Sequence, residues 1–231
     1  MNKFIPIALS LFLSLAAHAA SAEEPALSTY TEQSSDLSIK ASWPRFGLAR
    51  PDRESDDLVR RCVDNFREEA GQYLKELQVM KEQSPDMPDY VFEMDLEGSM
   101  HGNGKVTGML WKAYQYTGGA HGNLLVFSRN YVSSDGKPVG LHDIFRKPEK
   151  ALALMSELTR KKLLEQELPW DMVEGGTTPE EENFNTFLLE ENGLTVYFNP
   201  YQVGPWAAGV VTVTLPLSAL SEAQPVMSFW K

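Results

Sequence analysis

The sequence predicts an α+β domain with mainly antiparallel sheets, in which a long helix in the N-terminal half and a second helix pack on one face. Three observations carry this prediction. An apolar stripe at helical spacing runs from Leu58 to Met80, several short segments alternate or are rich in β-branched residues, and the turns between them have hairpin composition. Because hairpins join neighbouring strands in opposite directions, antiparallel pairing should dominate.

The first 22 residues predict a signal peptide. Lys3 precedes an apolar run over 4–17, and small residues that fit the signal-peptidase pattern follow it. We expect cleavage after Ala22, with cleavage after Ala19 as the second choice and an uncleaved anchor as the least favoured alternative. The apolar run is shorter than the about 20 residues that a spanning helix needs. The expected location is periplasmic or secreted, with no membrane span in the mature chain.

The N-terminal half predicts an arm, a strand and a long helix. Residues 23–36 are polar and rich in Pro, Ser and Thr, so we predict a flexible arm, followed by a strand over 37–41. Ser55 or Asp56 can cap the helix, which ends before Pro85. Its stripe, spaced by three and four residues, consists of Leu58, Cys62, Phe66, Ala70, Tyr73, Leu77 and Met80. Over this length the helical period is unambiguous.

Strands and one more helix fill the rest of the chain. Apolar residues alternate with acidic ones over 91–97, and β-rich segments follow at 106–116 and 124–131. A helix is predicted over 148–167, and the Gly- and Glu-rich stretch 174–183 is predicted to be an exposed loop. The last predicted strands cover 184–189, 194–198 and 210–215, and the first two of these flank Asn192-Gly193, a strong hairpin signal.

Charge and cysteine content limit the classes of function. Asp and Glu number 32 against 21 Lys and Arg, so the formal net charge is −11. Such a chain repels nucleic acid and anionic membrane surfaces and attracts a basic partner, although the same charge also serves solubility. Cys62 is the only cysteine, so an intramolecular disulfide cannot form. Its position on the helical stripe favours a buried small side chain over a reactive thiol.

The segment from Tyr114 to Asn123 is the most distinctive motif, with three glycines in five residues between two predicted strands. A phosphate-binding loop would be followed by a helix with Gly-Lys-Ser/Thr, whereas a strand follows here, so a nucleotide site is not expected. His121 is a candidate base or metal ligand. The sequence has neither a G-x-S-x-G nor an H-E-x-x-H motif, and a histidine that fixes a tight turn is the commoner case.

The second unusual segment, Phe198–Gly209, holds two prolines, two aromatic residues after its first position, and glycines at 204 and 209. Prolines reduce the entropy lost when a loop is ordered, and Tyr and Trp offer a large contact area with few rotatable bonds. Tyr201 and Trp206 therefore either present a recognition surface or close the end of the core. The residues alone leave these alternatives open.

Several further motifs follow Tyr116–Asn123 along the chain: Asn130-Tyr131, Gly136-Lys137, Leu141–Phe145, and Phe198–Val203 with Ala208-Gly209. Taken in this order, the motifs resemble a family of extracytoplasmic domains of unknown function. The family is found in the lysozyme-binding anti-sigma factor RsiV and in the non-catalytic part of the peptidoglycan deacetylase PdaC. The resemblance implies a PdaC-like subdomain over 37–100, an RsiV-like domain over 101–231, an α+β fold and a location at the cell envelope.

The resulting hypothesis is an exported binding module whose ligand is a cell-wall glycan (a peptidoglycan fragment) or a basic protein such as a lysozyme. No cofactor, metal or nucleic acid is expected. The predicted contact residues are Tyr116, Thr117, Gly118, Gly119, His121, Asn123, Tyr201, Gln202 and Trp206. The alternative is a hydrolase of envelope polymers that uses His121 as base or metal ligand. A third possibility is that both motifs serve only the fold.

Overall fold

The structure is a computed structural model that describes residues 25–87 and 89–231. The predicted signal peptide, residues 1–22, lies outside the described residues. Within them, nine strands form two sheets and five α-helices connect or cover the strands. The prediction of an α+β fold with mainly antiparallel sheets and a long helix in the N-terminal half is confirmed.

The first sheet has six strands that lie side by side in chain order. The strands are β1 (Leu27–Gln33), β2 (Leu37–Pro44), β3 (Phe92–Gly102), β4 (Val106–Tyr116), β5 (Asn123–Val132) and β6 (Pro138–Val139). Every neighbouring pair is antiparallel except β2 and β3. Helix α1 (Ala49–Gln83) lies between those two strands in sequence, and a crossover of this length is what parallel pairing requires.

Four helices and the second sheet follow. The helices are α2 (Leu141–Ile144), α3 (Pro148–Leu164), α4 (Trp170–Gly176) and α5 (Glu181–Phe184). The second sheet is antiparallel and consists of β7 (Phe187–Glu190), β8 (Gly193–Phe198) and β9 (Val211–Pro216). Short 3₁₀ helices lie at Trp206–Ala208, Leu217–Ala223 and Met227–Phe229. Across residues 25–87 and 89–231, no helix combines the length and apolar content needed to cross a bilayer.

Different elements pack on the two faces of the six-stranded sheet, and each face contributes to its own hydrophobic core. Helix α1 packs on one face, where Val59 and Phe66 meet Ile39, Leu96 and Trp111. The second core lies around the second sheet, α3 and the C-terminal 3₁₀ helices. Strand β7 contacts β3, β4 and β5, which joins the second sheet to the face opposite α1.

The structure corrects the prediction of a flexible arm over 23–36, because Leu27–Gln33 forms β1 and pairs with β2 along its whole length. Its side chains are polar on both faces, which is why composition alone indicated an arm. Tyr30 and Glu32 point toward α1, where Arg67 donates hydrogen bonds to both side chains. The strand is therefore fixed by polar contacts to the helix and by backbone pairing.

Helix α1 begins at Ala49, six residues before the predicted cap at Ser55. Pro51 lies in the first turn, where its missing N–H costs nothing. The carboxylate of Asp52 accepts a hydrogen bond from the backbone N–H of Phe46, 2.7 Å away. Asp56, the other predicted cap, instead holds the side chains of Trp43 and Arg45.

The stretch 174–183 is also partly helical and not simply a loop. Its two ends belong to α4 and α5, anchored by buried Val173 and Phe184. The glutamates at 180–182 are exposed, as predicted. The boundary predicted between residues 100 and 101 falls inside β3, so one sheet spans both predicted subdomains. The division of the chain into a PdaC-like and an RsiV-like part stays a prediction.

Candidate functional site

The Gly-rich motif forms the tip of the hairpin that joins β4 and β5. Gly118 and Gly119 both have φ of +96°, which glycine tolerates and other residues rarely adopt. The Tyr116 hydroxyl donates to the Gly119 carbonyl oxygen at 3.2 Å, which closes the tip on itself. Asn123 is exposed at the first position of β5. The glycines therefore serve a tight, exposed turn.

The second motif is a loop held by two amide side chains. Asn199 accepts a hydrogen bond from the N–H of Val126 at 2.6 Å and donates to its carbonyl at 3.1 Å. Gln202 donates to the carbonyl oxygens of Gly176 and Asn183 and accepts from the N–H of Asn199. The amide of Gln202 is thus hydrogen-bonded within the protein, and these bonds position the loop.

The structure brings the two predicted segments together through aromatic rings. His121 at the hairpin tip stacks on Trp206 of the loop, with ring centroids 4.6 Å apart and an interplanar angle of 14°. The ring centroid of Tyr201 lies 6.0 Å from that of Trp206, and the two rings are tilted by 33°. Tyr201 is 56% exposed and has a positive φ of 69°. We call His121, Tyr201 and Trp206 the aromatic stack.

The loop that holds Tyr201 and Trp206 has one buried and one exposed part. Val203 is fully buried and closes the end of the second core, whereas Tyr201 and His121 face solvent. Trp206 is half-buried between them. The loop therefore uses one aliphatic side chain for packing and presents its rings at the surface.

An acidic row lies beside the hairpin on the open part of the six-stranded sheet. Glu93, Asp95 and Glu97 alternate along β3 with buried residues and are exposed. Their partners across the ladder are Tyr116, Tyr114 and Lys112 of β4, and directly opposed residues share a face. A Cβ on Gly122 would overlap the Tyr114 ring, so that ring lies against the hairpin tip. The alternation over 91–97 and the segment that begins at Tyr114 are recognisable in the sequence, but neither Tyr114 nor the acidic row is among the predicted contact residues.

The other side of the hairpin tip lines a cleft of about 220 Å³. Thr117, Gly118 and Gly119 form one wall, and the C-terminal turns of α1 form the opposite wall. The side chains that line it are Tyr73, Glu76, Leu77, Met80, Tyr90 and Phe92, among others. Predicted residues 116–119 and 121 thus lie on two different surfaces of one hairpin.

The three histidines within the described residues do not converge. His121 has its Nδ1 2.9 Å from the carbonyl oxygen of Gly122, His101 contacts Ser99, and His142 contacts Glu181. In the described part of the chain, no three His, Cys, Asp or Glu side chains are grouped as a metal site would require. The geometry gives His121 the turn-fixing contact that was the commoner expectation.

Comparison with known proteins matches residues 142–218 to the family model described as "Protein of unknown function (DUF3298)". The peptidoglycan-N-acetylmuramic acid deacetylase PdaC of Bacillus subtilis is 28% identical over 117 residues, which cover 49% of this chain and 25% of PdaC. The chain therefore matches about a quarter of this curated relative. The predicted resemblance to PdaC and to domains of unknown function is confirmed; the resemblance to RsiV stays a prediction.

Two crystal structures share the fold. A DUF3298 family member from Bacteroides fragilis aligns with a TM-score of 0.61 at 18% identity, covering 86% of this chain and 93% of that one. A DUF3298 family protein from Pseudomonas aeruginosa aligns with a TM-score of 0.60 at 15% identity, covering 89% and 96%. Residues 142–218 are thus similar to DUF3298 domains, and the fold around them is that of solved DUF3298 proteins.

Proposed function

We propose that this protein is an exported binding module of the cell envelope that recognises a basic protein such as a lysozyme, with a cell-wall glycan as the alternative ligand. Its similarity to part of a peptidoglycan deacetylase supports a role related to the cell wall. Export is part of the proposal and rests on the sequence of residues 1–22. Of the predicted contact residues, Tyr116, His121, Asn123, Tyr201 and Trp206 make up the surface we propose for binding. Thr117, Gly118 and Gly119 instead line the cleft on the other side of the hairpin tip, and Gln202 is turned inward.

The observation that carries the proposal is the aromatic stack. Two segments about 80 residues apart meet through His121 and Trp206, and Tyr201 is held exposed beside them. Tyr and Trp rings held in place lose little entropy on binding and dominate many recognition surfaces. The positive φ at Tyr201 is unfavourable for a residue with a side chain, so the surrounding structure must compensate for it to hold the ring in this position.

Charge favours a basic protein over a neutral glycan. Glu93, Asp95 and Glu97 lie on the same face of the sheet as Tyr114, next to the hairpin tip. Complementary charge steers association and orients a partner, and Lys or Arg side chains also bind the faces of Trp and Tyr rings. The net charge of −11 acts in the same direction over the whole surface.

The test is binding of the mature chain, Glu23 to Lys231, to lysozyme and to peptidoglycan fragments at low and moderate salt. We expect Tyr201→Ala and Trp206→Ala to weaken binding at least about tenfold, as truncation of a central aromatic contact does. The matched control is Tyr73→Ala, an exposed tyrosine outside the stack. Circular dichroism and a thermal melt show whether each variant remains folded.

The outcomes separate the two ligands. Binding to lysozyme that weakens as salt rises supports the basic partner, since salt screens exposed charges. Salt-independent binding to peptidoglycan fragments alone would favour the glycan. The proposal is wrong if neither ligand binds, and the site is misplaced if Tyr73→Ala abolishes binding while the two stack variants do not.

A further inference from the structure

We propose a second binding site, for a carboxylate, in a cleft between the N-terminal half of α1 and the six-stranded sheet. The cleft has a volume of about 200 Å³. Its walls are formed by Glu54, Ser55, Asp57, Leu58 and Arg61 from α1 and by Trp111, Arg129 and Tyr131 from β4 and β5. This cleft lies away from the hairpin tip. If the proposal of a carboxylate site proves wrong, the proposed function is therefore not affected.

The first observation is a pair of arginines without acidic partners. Most arginines of α1 are engaged: Arg50 with Glu54, Arg60 with Asp57, and Arg67 with Glu32 and Asp64. Arg61 and Arg129 form no ion pair within residues 25–87 and 89–231, and both line the cleft. In a chain with 32 acidic residues, two such cations on one cleft indicate an anionic ligand.

The second observation is the Ser55 hydroxyl. Ser55 lines the cleft, and its hydroxyl is not one of the buried polar atoms that lack a partner in the described chain, although the residue is only 5% exposed. A hydroxyl that faces a cleft is satisfied by water while the cleft is empty, and it can donate to an acceptor on a bound ligand instead. Because Ser55 lines the cleft between α1, which carries Arg61, and β5, which carries Arg129, its hydroxyl can donate a hydrogen bond to an anion bound there.

The neighbouring acids decide which anion fits. Glu54 accepts from Arg50 at 2.7 Å and from the Tyr131 hydroxyl at 2.9 Å, and Asp57 lies 3.4 Å from Arg60. Both carboxylates line the cleft, and although they are already paired they keep negative charge in its wall. They oppose a doubly charged phosphate more than a singly charged carboxylate. Guanidinium groups also match the planar carboxylate with two parallel hydrogen bonds.

The rest of the cleft limits the size of the ligand. Leu58 and the edge of the buried Trp111 provide an apolar wall beside the arginines. A volume of about 200 Å³ is smaller than that of sites for drug-sized ligands, so the cleft suits the terminal group of a longer molecule. The geometry points to the terminal carboxylate of a peptide that ends in a small apolar residue.

The experiment compares N-acetyl-alanyl-alanine with its C-terminal amide and with inorganic phosphate, by calorimetry and by the NMR shift of the Trp111 indole. The acid should bind at least tenfold more tightly than either. Arg61→Gln and Arg129→Gln should each weaken it about tenfold. Arg53→Gln, which removes the same charge from an exposed position of α1 outside the cleft, should change it less than twofold.

Several results would overturn the site. Equal binding of the acid and the amide would show that the carboxylate charge is not recognised. Tighter binding of phosphate than of the acid would show that the ligand is not a carboxylate. An equal effect of all three arginine variants would show a general field effect in place of a local site. Absence of binding at millimolar peptide would also contradict the proposal, since Ser55 and the arginines would then have no ligand of this class.

Discussion

At the scale of single residues, Gly119 shows how much of the hairpin motif is backbone conformation. It adopts φ of +96° at the exposed tip, and a Cβ at this position would meet no atom within 4 Å. Space is therefore not the constraint. The constraint is the collision of a Cβ with its own backbone at positive φ, which disfavours every other residue type.

Gly119→Ala should lower the free energy of unfolding by about 1–2 kcal/mol, the cost of placing an L-residue in a left-handed conformation. The control is Gly175→Ala in α4, where space is equally open and φ is not positive, so the change should be neutral or slightly stabilising. Urea denaturation measures both. Equal effects of the two substitutions would contradict a conformational role for Gly119.

At the scale of elements, one phenol–carboxylate contact joins α1 to β5. Tyr131 donates to Glu54 at 2.9 Å, and its ring packs edge-on against Phe46. The hydrogen bond from Arg50, and after it the one from Tyr131, holds the pKa of Glu54 below its ordinary value although burial opposes this. Burial, and then the contact with Glu54, raises the pKa of Tyr131.

The sign of the pH dependence follows from the lowered pKa of Glu54. Its contribution to stability is present above the unfolded carboxyl pKa of about 4.3 and is lost as pH falls through the folded pKa. Tyr131→Phe keeps the ring and removes the donor, so it should cost about 1 kcal/mol at pH 7. That cost should become smaller as pH falls through the folded pKa of Glu54.

Urea denaturation at pH 7 and pH 3 tests this linkage. The control is Tyr197→Phe, whose hydroxyl makes no side-chain hydrogen bond in the described part of the chain, so any cost should not depend on this acid range. A loss for Tyr131→Phe that is the same at both pH values would show that the hydroxyl acts through packing and not through Glu54.

At the scale of the whole molecule, two cores are held together by a close approach of the two sheets. Phe187 of β7 exchanges hydrogen bonds with the Ser128 hydroxyl, at 2.8 and 2.9 Å, and accepts another from Asn130. A Cβ on Gly108 would overlap the Leu188 and Asn130 side chains, so the absence of a side chain there lets the sheets meet. The Asn130 Oδ1 atom is buried without a hydrogen-bond partner in the described chain.

Gly108→Ala should therefore destabilise the protein by about 1–3 kcal/mol, because overfilling a tightly packed interface forces side chains and backbone to shift. Gly71→Ala on α1 is the matched control; the site is open, and alanine in a helix gains up to about 1 kcal/mol. Chemical denaturation of both variants gives the comparison. A neutral Gly108→Ala would show that the contact between the sheets adapts readily.

What the sequence determined by itself was local. The helical stripe of α1, the alternation in β3 and the hairpin signals at Gly118-Gly119 and Asn192-Gly193 all depend on neighbours within one or two turns or strands. These patterns gave the fold class and the positions of most elements. They failed for β1, which is polar on both faces and owes its order to pairing with β2 and to Arg67.

Only the tertiary structure decided which of the predicted contact residues lie together. His121 and Trp206 are 85 positions apart, and their contact depends on how β7 and β8 sit on the first sheet, which no local pattern encodes. The same packing turned Gln202 inward, and the packing of α1 on the opposite face of the first sheet placed Arg61 and Arg129 on one cleft. Local periodicity reports which face of an element is apolar, whereas sites form where faces from distant elements meet, and that depends on long-range packing.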